Sequence, residues 1–141
     1  MIEQSEFERI GGRQSLIKIN KAFYDKVYAH PWLKLFFESV PQQHIEDQQV
    51  DFMQKVLGGE NRYWGKAPPI AHVHINITEE VFAVRNQLLE EAFIETNAHP
   101  KLIEKWRQID NSFKRILVKK SLKECKGRYN SDPILDFPKP K

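Results

Sequence analysis

The sequence predicts an all-α fold, and three observations support this prediction. Apolar residues recur at helical spacing along most of the 141 residues. No segment shows the sustained apolar and polar alternation, rich in β-branched side chains, that is typical of strands. Glycine and proline are concentrated at a few boundaries, which leaves the segments between them uninterrupted. A chain of this length forms one domain and can bury a core without disulfide bonds.

The first long helix is predicted from about residue 13 to residue 29. It carries an apolar stripe and ends before Pro31, since proline disfavours helix in the preceding residue. The short aromatic segment 32–37 predicts a helical corner that packs inward. A second helix is predicted from about residue 42 to residue 57, and the Gly58-Gly59 pair ends it. Its predicted core face consists of Ile45, Phe52, Met53 and Val56.

Two further helices follow a loop of about twenty residues between residues 58 and 77. Thr78 is a good N-cap, and the acidic residues after it suit a helix start. Pro100 suits the first turn of the last helix. A loop this long is unusual in a compact helical domain unless it has a function. We expect a domain over residues 1–126 and a mobile tail over residues 127–141, which lacks apolar periodicity.

Composition and charge exclude several classes of protein. The net charge of +3 is too small to predict nucleic-acid binding. No apolar run approaches the ~20 residues of a membrane-spanning helix, and the first residues do not form a signal peptide. The single cysteine, Cys125, excludes an internal disulfide and is typical of a reducing compartment. We therefore expect a cytoplasmic protein with no nucleic-acid or membrane partner.

Two polar residues interrupt the apolar stripes. Tyr24 lies among the inward residues of the first helix, and Gln49 lies one turn from Ile45 and Phe52 in the second. A buried phenol and a buried amide need hydrogen-bond partners. They could bond each other or a backbone carbonyl, or they could face a ligand in an apolar pocket.

Histidines in the long loop suggest two kinds of metal site. His72 and His74 could begin a zinc site, but the sequence has no second cluster of cysteine or histidine to complete it. A single loop histidine above an apolar helical pocket is also how proteins hold haem iron. Aromatic residues such as Phe37 would then pack on the porphyrin. Composition alone does not favour this interpretation over a plain helical bundle.

An ordered set of motifs resembles the truncated haemoglobins, which are small globins with a two-over-two helical sandwich. The motifs occur in the family's order and spacing from Gly11 to about Phe82. They are Phe7-Glu8-Arg9-Ile10-Gly11-Gly12, Phe23-Tyr24-Asp25-Lys26-Val27, Phe36-Phe37, Gln49-Val50-Asp51-Phe52, Leu57-Gly58-Gly59, Tyr63, and His72 followed by Ile77-Thr78.

The resemblance implies haem b as the cofactor and a role for each matching residue. His72 would be the proximal iron ligand, and Phe37 would stack on the haem. Tyr24 and Gln49 would be the catalytic, distal pair that hydrogen-bonds bound oxygen. The implied haem-binding residues are Phe37, Ile45, Phe52, Tyr63, His72, Ile77 and Phe82.

Two residues depart from the family pattern or add an alternative to it. Arg85 lies where relatives place an apolar residue or tryptophan, so it could turn to a haem propionate or reach the ligand. His44 lies beside the pocket-mouth residue Ile45, and a shift by one residue could make it a sixth iron ligand.

The implied function is reversible binding of oxygen, nitric oxide or carbon monoxide. Oxidation of nitric oxide to nitrate, or detoxification of reactive species, would follow and would need a separate reductase, since the chain has no flavin or nicotinamide motif. The alternatives are a peroxidase-like protein, a ligand sensor or carrier acting through a protein partner, and a globin-like domain without haem.

Overall fold

The computed structural model describes residues 5–65, 72, 74–119, 125 and 134–140. Within these residues the chain is helical, which confirms the all-α prediction. The elements are α1 (Glu6–Arg9), α2 (Gly12–Ala29), a 3-10 helix (Leu33–Phe37), α3 (Gln42–Val56), α4 (Glu79–Glu95) and α5 (Pro100–Leu117). The four long helices follow the predicted order, and the short helix α1 was not predicted.

Side chains define the starts of three helices. The Ser5 hydroxyl accepts a hydrogen bond from the Glu8 amide at 3.2 Å and so begins α1. Thr78 caps α4 by accepting from the Val81 amide at 3.1 Å, which confirms its prediction as an N-cap. His99 caps α5, where Pro100 occupies the first turn as predicted.

Helix α2 is the centre of the fold, since it packs against both α3 and α4. Leu16 and Ile19 on α2 are fully buried, as is Phe93 on α4. The Phe93 ring meets Trp106 of α5 edge-on, with centroids 5.4 Å apart. Aromatic pairs in this geometry stabilise packing beyond the area that they bury.

Helix α3 is rotated relative to the predicted core face. Val56 is 41% exposed, so the prediction that it faces the core is wrong. Ile45 and Phe52 are only half-buried. The buried residues of α3 are Glu46, Val50, Met53 and Gln54. Because α3 turns Glu46 and Gln54 inward, Ile45, Phe52 and Val56 face partly away from the core.

Short extended segments pair residues that precede α4 with residues that follow α5. Ile77 forms a parallel bridge with Val118, and Ile75 forms a parallel bridge with Leu135. Phe137 packs against the core. The domain boundary at residue 126 and the mobility of the tail stay predictions, but Leu135 and Phe137 within that tail contact the helical body.

Among the helices in the described part of the chain, none combines the length and apolar character needed to cross a membrane.

Candidate functional site

Tyr24 is a buried phenol inside a group of aromatic rings. Its ring meets Phe23 at 4.8 Å, Phe37 at 6.0 Å and Tyr28 at 6.5 Å between centroids, each near edge-on. Tyr24 is 7% exposed, and its hydroxyl forms no hydrogen bond with any described residue. Burial raises the pKa of this hydroxyl, and the charge of Arg85 opposes that rise. Tyr24 therefore keeps its proton at neutral pH and remains a hydrogen-bond donor.

Tyr28 lies one turn further along α2 and differs from Tyr24 in having a partner. Its hydroxyl donates to the Val40 carbonyl at 2.7 Å. Its ring lies 5.5 Å from that of Phe37. Phe37 thus contacts the rings of both Tyr24 and Tyr28.

Helix α3 presents a half-buried stripe made by Ile45, Gln49 and Phe52, which are spaced by four and three residues. The Gln49 amide forms no hydrogen bond with any residue in the described ranges, so it bonds neither Tyr24 nor a described backbone carbonyl. The Phe52 ring meets Tyr63 at 5.3 Å. Two of the predicted haem-binding residues, Phe52 and Tyr63, are therefore in direct contact.

Glu46 is a buried carboxyl that the sequence analysis missed. It is 7% exposed and forms no hydrogen bond or ion pair with the described residues. Burial raises the pKa of Tyr28, and the charge of the nearby Glu46 raises it further. Its charge also adds to the raised pKa of Tyr24. A mostly buried side chain whose carboxyl makes no hydrogen bond with the described residues can accept one from a ligand, so Glu46 is a candidate for function.

Arg85 pairs with Asp110 of α5. Its guanidinium donates to both carboxylate oxygens of Asp110, at 2.6 Å and 3.2 Å. It also lies 5.6 Å from the centre of the Phe23 ring and 5.5 Å from that of Phe82. Arg85 thus joins α4 to α5 and packs on Phe82, one of the predicted haem-binding residues.

His72 is half-buried and lies in the segment that precedes α4. Its backbone carbonyl accepts hydrogen bonds from the Lys119 ammonium at 2.8 Å and from the Ile75 amide at 3.0 Å. His74 is more deeply buried than His72. Ile77 is half-buried and packs against the core.

Two other metal hypotheses from the sequence concern a zinc site and His44 as a sixth iron ligand. In the described ranges, no three residues among histidine, cysteine, aspartate and glutamate come together to hold a metal ion. His44 is exposed in the first turn of α3.

The predicted site residues form two pairs of ring contacts, and several of them also pack against one core. Ring contacts join Tyr24 to Phe37 and, separately, Phe52 to Tyr63. Phe37, Ile45, Phe52 and Ile77 all pack against the core cluster that contains Tyr24. The grouping of all these residues around one cofactor stays a prediction.

The fold and these residues define a class of small helical globin, and comparison with known proteins gives the family. The model of the bacterial-like globins matches residues 5–118. This chain therefore belongs to the bacterial-like globin family. The recognition of a truncated haemoglobin from sequence is confirmed, and haem is the cofactor of such proteins.

Individual relatives agree with this assignment. The group 1 truncated haemoglobin of Tetrahymena pyriformis is 36% identical over 74 residues, which is 52% of this chain and 61% of that protein. The solved Fe(III) form of a Tetrahymena pyriformis truncated haemoglobin is 27% identical, with a TM-score of 0.72 over 83% of this chain and all of that one. A 2/2 haemoglobin from Synechococcus has a TM-score of 0.68 at 27% identity, over 80% of this chain and 95% of that one.

The residues present fit a haem group. Tyr24 places a hydroxyl with no hydrogen bond to the described residues among Phe23, Phe37 and Tyr28, so this donor is available to a ligand. The stripe of Ile45, Gln49 and Phe52 stays half-buried although two of its members are apolar. An apolar surface with a few polar donors suits a porphyrin and a small ligand.

Proposed function

We propose that this chain binds haem b through the imidazole of His72 and holds oxygen or a related diatomic ligand with Tyr24 and Gln49. The observation that carries this proposal is the position of the Tyr24 hydroxyl, which lies among aromatic rings and makes no hydrogen bond in the described part of the chain. The half-buried Gln49 amide on the neighbouring helix, which forms no hydrogen bond with the described residues, supports it.

Each predicted residue has a role that follows from its chemistry. His72 offers a neutral nitrogen to iron. Phe37, Phe52, Tyr63, Ile77 and Phe82 offer apolar surface to the porphyrin, and Ile45 excludes water without donating a hydrogen bond. Bound haem supplies a ferrous iron that takes up oxygen, nitric oxide or carbon monoxide.

Tyr24 and Gln49 stabilise negative charge on the outer atom of such a ligand. Tyr24 contributes one donor, because its raised pKa keeps the phenol protonated, and Gln49 contributes two. Donors that are already in place cost no reorganisation when the ligand binds. Each such bond slows ligand release by about tenfold or more.

We propose oxidation of nitric oxide to nitrate as the reaction. One nitric oxide, one oxygen molecule and one electron give one nitrate ion, so the atoms and the charge balance. The electron comes from a separate one-electron reductase. Tyr24 and Gln49 contribute by holding oxygen until nitric oxide arrives, and the apolar lining keeps water out.

Absorption spectra of the purified ferric and ferrous protein test haem binding directly. We expect a Soret band in the wild-type protein, and loss of most of that band in His72→Ala. His44→Ala is the matched control, because His44 is exposed, and it should keep the band. Equal haem content in wild type and His72→Ala would contradict the assignment of His72.

Mixing the oxygenated protein with nitric oxide in a stopped-flow instrument tests the reaction. We expect about one nitrate per haem, with rapid conversion to the ferric spectrum. Persistence of the oxygenated spectrum in the presence of nitric oxide would exclude the reaction and leave reversible ligand binding as the function.

Glu46 favours a peroxidase-like reaction as a second candidate. Reduction of a peroxide needs a group that accepts a proton from one oxygen and delivers it to the other, and a buried carboxyl near Tyr24 can do this. Loss of such a group costs roughly 100-fold or more in rate. Glu46→Gln should therefore slow peroxide consumption by the ferric protein, whereas the exposed Glu38→Gln should not.

A further inference from the structure

The segment that carries His72 is held at one edge by a piece of chain close to the C-terminus. We call residues 72 and 74–77 the His72 segment and residues 134–137 the C-terminal strap. The Leu135 amide donates to the His74 carbonyl, and the Asn76 amide donates to the Leu135 carbonyl, both at 2.8 Å. The Asn76 side chain also donates to Asp136 at 2.9 Å. The strap therefore pairs with this segment as a parallel strand would.

The opposite edge of the His72 segment is held by residues that follow α5. The Lys119 amide donates to the Ile77 carbonyl at 2.8 Å. The Lys119 ammonium donates to the His72 carbonyl at 2.8 Å and to the Leu117 carbonyl at 3.2 Å. Lys119 is only 8% exposed. A buried ammonium that donates to the histidine's own carbonyl forms a stronger hydrogen bond than a neutral donor would.

The C-terminal strap is itself anchored in the core. The Trp32 indole donates to the Phe137 carbonyl at 2.7 Å. The Phe137 ring meets Phe36 edge-on, with centroids 5.0 Å apart. Both Trp32 and Phe36 are buried. The strap therefore links the His72 segment to the buried residues Trp32 and Phe36.

We propose that Lys119 and the C-terminal strap are positioning elements for His72, and that they set how firmly the chain retains its haem. This inference rests on the proposed function. The segment is not helical, so its own hydrogen bonds do not fix the direction of the His72 side chain. Both elements lie beyond residue 118, where the match to the globin family model ends. They are thus a feature of this chain in addition to the shared globin body.

Paired proline substitutions test the C-terminal strap in the full-length protein. Leu135→Pro removes the amide that donates to His74, whereas Ile134→Pro changes a neighbouring residue with no hydrogen bond to the described residues. Outer partners of metal ligands change metal affinity by about 10–100-fold. We therefore expect Leu135→Pro to release haem to an excess of apomyoglobin about tenfold faster than wild type, and Ile134→Pro to release it at the wild-type rate.

Lys119 is tested by loss and rescue. Lys119→Met removes the donor to the His72 carbonyl and should also release haem about tenfold faster. Lys119→Arg keeps a cationic donor and should restore most of the retention. The iron–histidine stretching band in the resonance Raman spectrum of the ferrous protein should shift in Lys119→Met and Leu135→Pro, and return in Lys119→Arg.

The apoprotein gives an independent measurement. In the apoprotein of Leu135→Pro, the backbone amide of Asn76 should exchange its hydrogen faster than in wild type. The Leu135 carbonyl that accepts from this amide is no longer held in place by the Leu135–His74 hydrogen bond. If Leu135→Pro does not fold, Asp136→Ala replaces it, because this exposed substitution removes only the side-chain bond to Asn76. A two- to threefold increase in haem release is then expected.

The outcomes separate this inference from the proposed function. A wild-type chain that takes up no haem would overturn both. Normal haem uptake with unchanged release rates and an unchanged iron–histidine band in the folded variants would overturn the positioning role alone. Faster release with the shifted band would support it.

Discussion

The two sides of the candidate site differ in which of their polar groups, side-chain or backbone, form hydrogen bonds with the described residues. On the Tyr24 side, which consists of Tyr24, Glu46 and Gln49, three polar side chains form no hydrogen bonds with the described residues. In the His72 segment, backbone carbonyls are bonded from two directions, by Lys119 and by Leu135.

This difference shows how a small helical protein divides binding from positioning. Side chains that form no hydrogen bond with the described residues keep their donors and acceptors available to a ligand. Hydrogen bonds to the backbone of the His72 segment limit the movement of the residues that it carries. The Tyr24 side would thus supply contacts to a ligand, and the His72 segment would supply a fixed attachment point.

Removal of the ion pair between Arg85 and Asp110 should have the largest effect on stability. Arg85→Met leaves the Asp110 carboxylate largely buried without its guanidinium partner. Because Arg85 and Asp110 are partly exposed, we expect a loss of about 1–3 kcal/mol in the free energy of unfolding, measured by urea denaturation. The double variant Arg85→Met with Asp110→Leu should recover part of that loss. An additive loss in the double variant would show that the ion pair does not stabilise the fold.

Helix boundaries and the inward position of Tyr24 could be predicted from sequence, because both depend on local patterns. Thr78 and Pro100 are signals that act within one helical turn. Tyr24 and Gln49 were recognised because a polar residue in an apolar stripe violates the pattern around it. Periodicity was therefore sufficient to find two of the three polar residues on the Tyr24 side.

Long-range partners could not be predicted in the same way. Asp110 lies 25 residues from Arg85, and no local pattern selects it among the acidic residues of α5. Leu135 belongs to a segment without periodicity, so its pairing with Ile75 was not foreseen. Glu46 was missed because a charged residue is expected at the surface, and only the rotation of α3 buries it.

The second prediction separates ligand binding from folding within one helix. Tyr24→Phe removes a hydroxyl that has no hydrogen bond to the described residues, so unfolding free energy should change by less than about 0.5 kcal/mol. The same change should release oxygen about tenfold or more faster, measured by stopped-flow displacement with carbon monoxide.

Tyr28→Phe is the matched control and should show the reverse. It removes the hydroxyl that donates to the Val40 carbonyl. We expect a loss of about 1 kcal/mol in stability and an unchanged oxygen release rate. If Tyr24→Phe and Tyr28→Phe behaved alike in both measurements, the distinction between the two tyrosines would be wrong.

The third prediction concerns the buried carboxyl. Glu46→Gln replaces a buried carboxyl that has no hydrogen bond or ion pair in the described part of the chain with a neutral group of similar size. We expect the apoprotein at pH 7 to become more stable by about 1 kcal/mol, because a neutral amide costs less to bury than a charge. The exposed Glu38→Gln should change stability by less. A loss of stability in Glu46→Gln would show that the carboxylate has a favourable partner.

The smallest effect is expected far from the site, at the exposed ion pair between α4 and α5. Arg107 donates to both oxygens of Glu90 at 2.7 Å, and this hydrogen bonding lowers the pKa of Glu90 from its ordinary value. A carboxyl with a lowered folded pKa stabilises the protein above its unfolded pKa, and this contribution is lost as the pH falls through the folded pKa. Glu90→Gln should therefore cost no more than about 1 kcal/mol at pH 7 and nothing once Glu90 is protonated. Thermal denaturation of both proteins from pH 7 downward measures this convergence, and a constant difference across the range would mean that Glu90 acts through packing rather than charge.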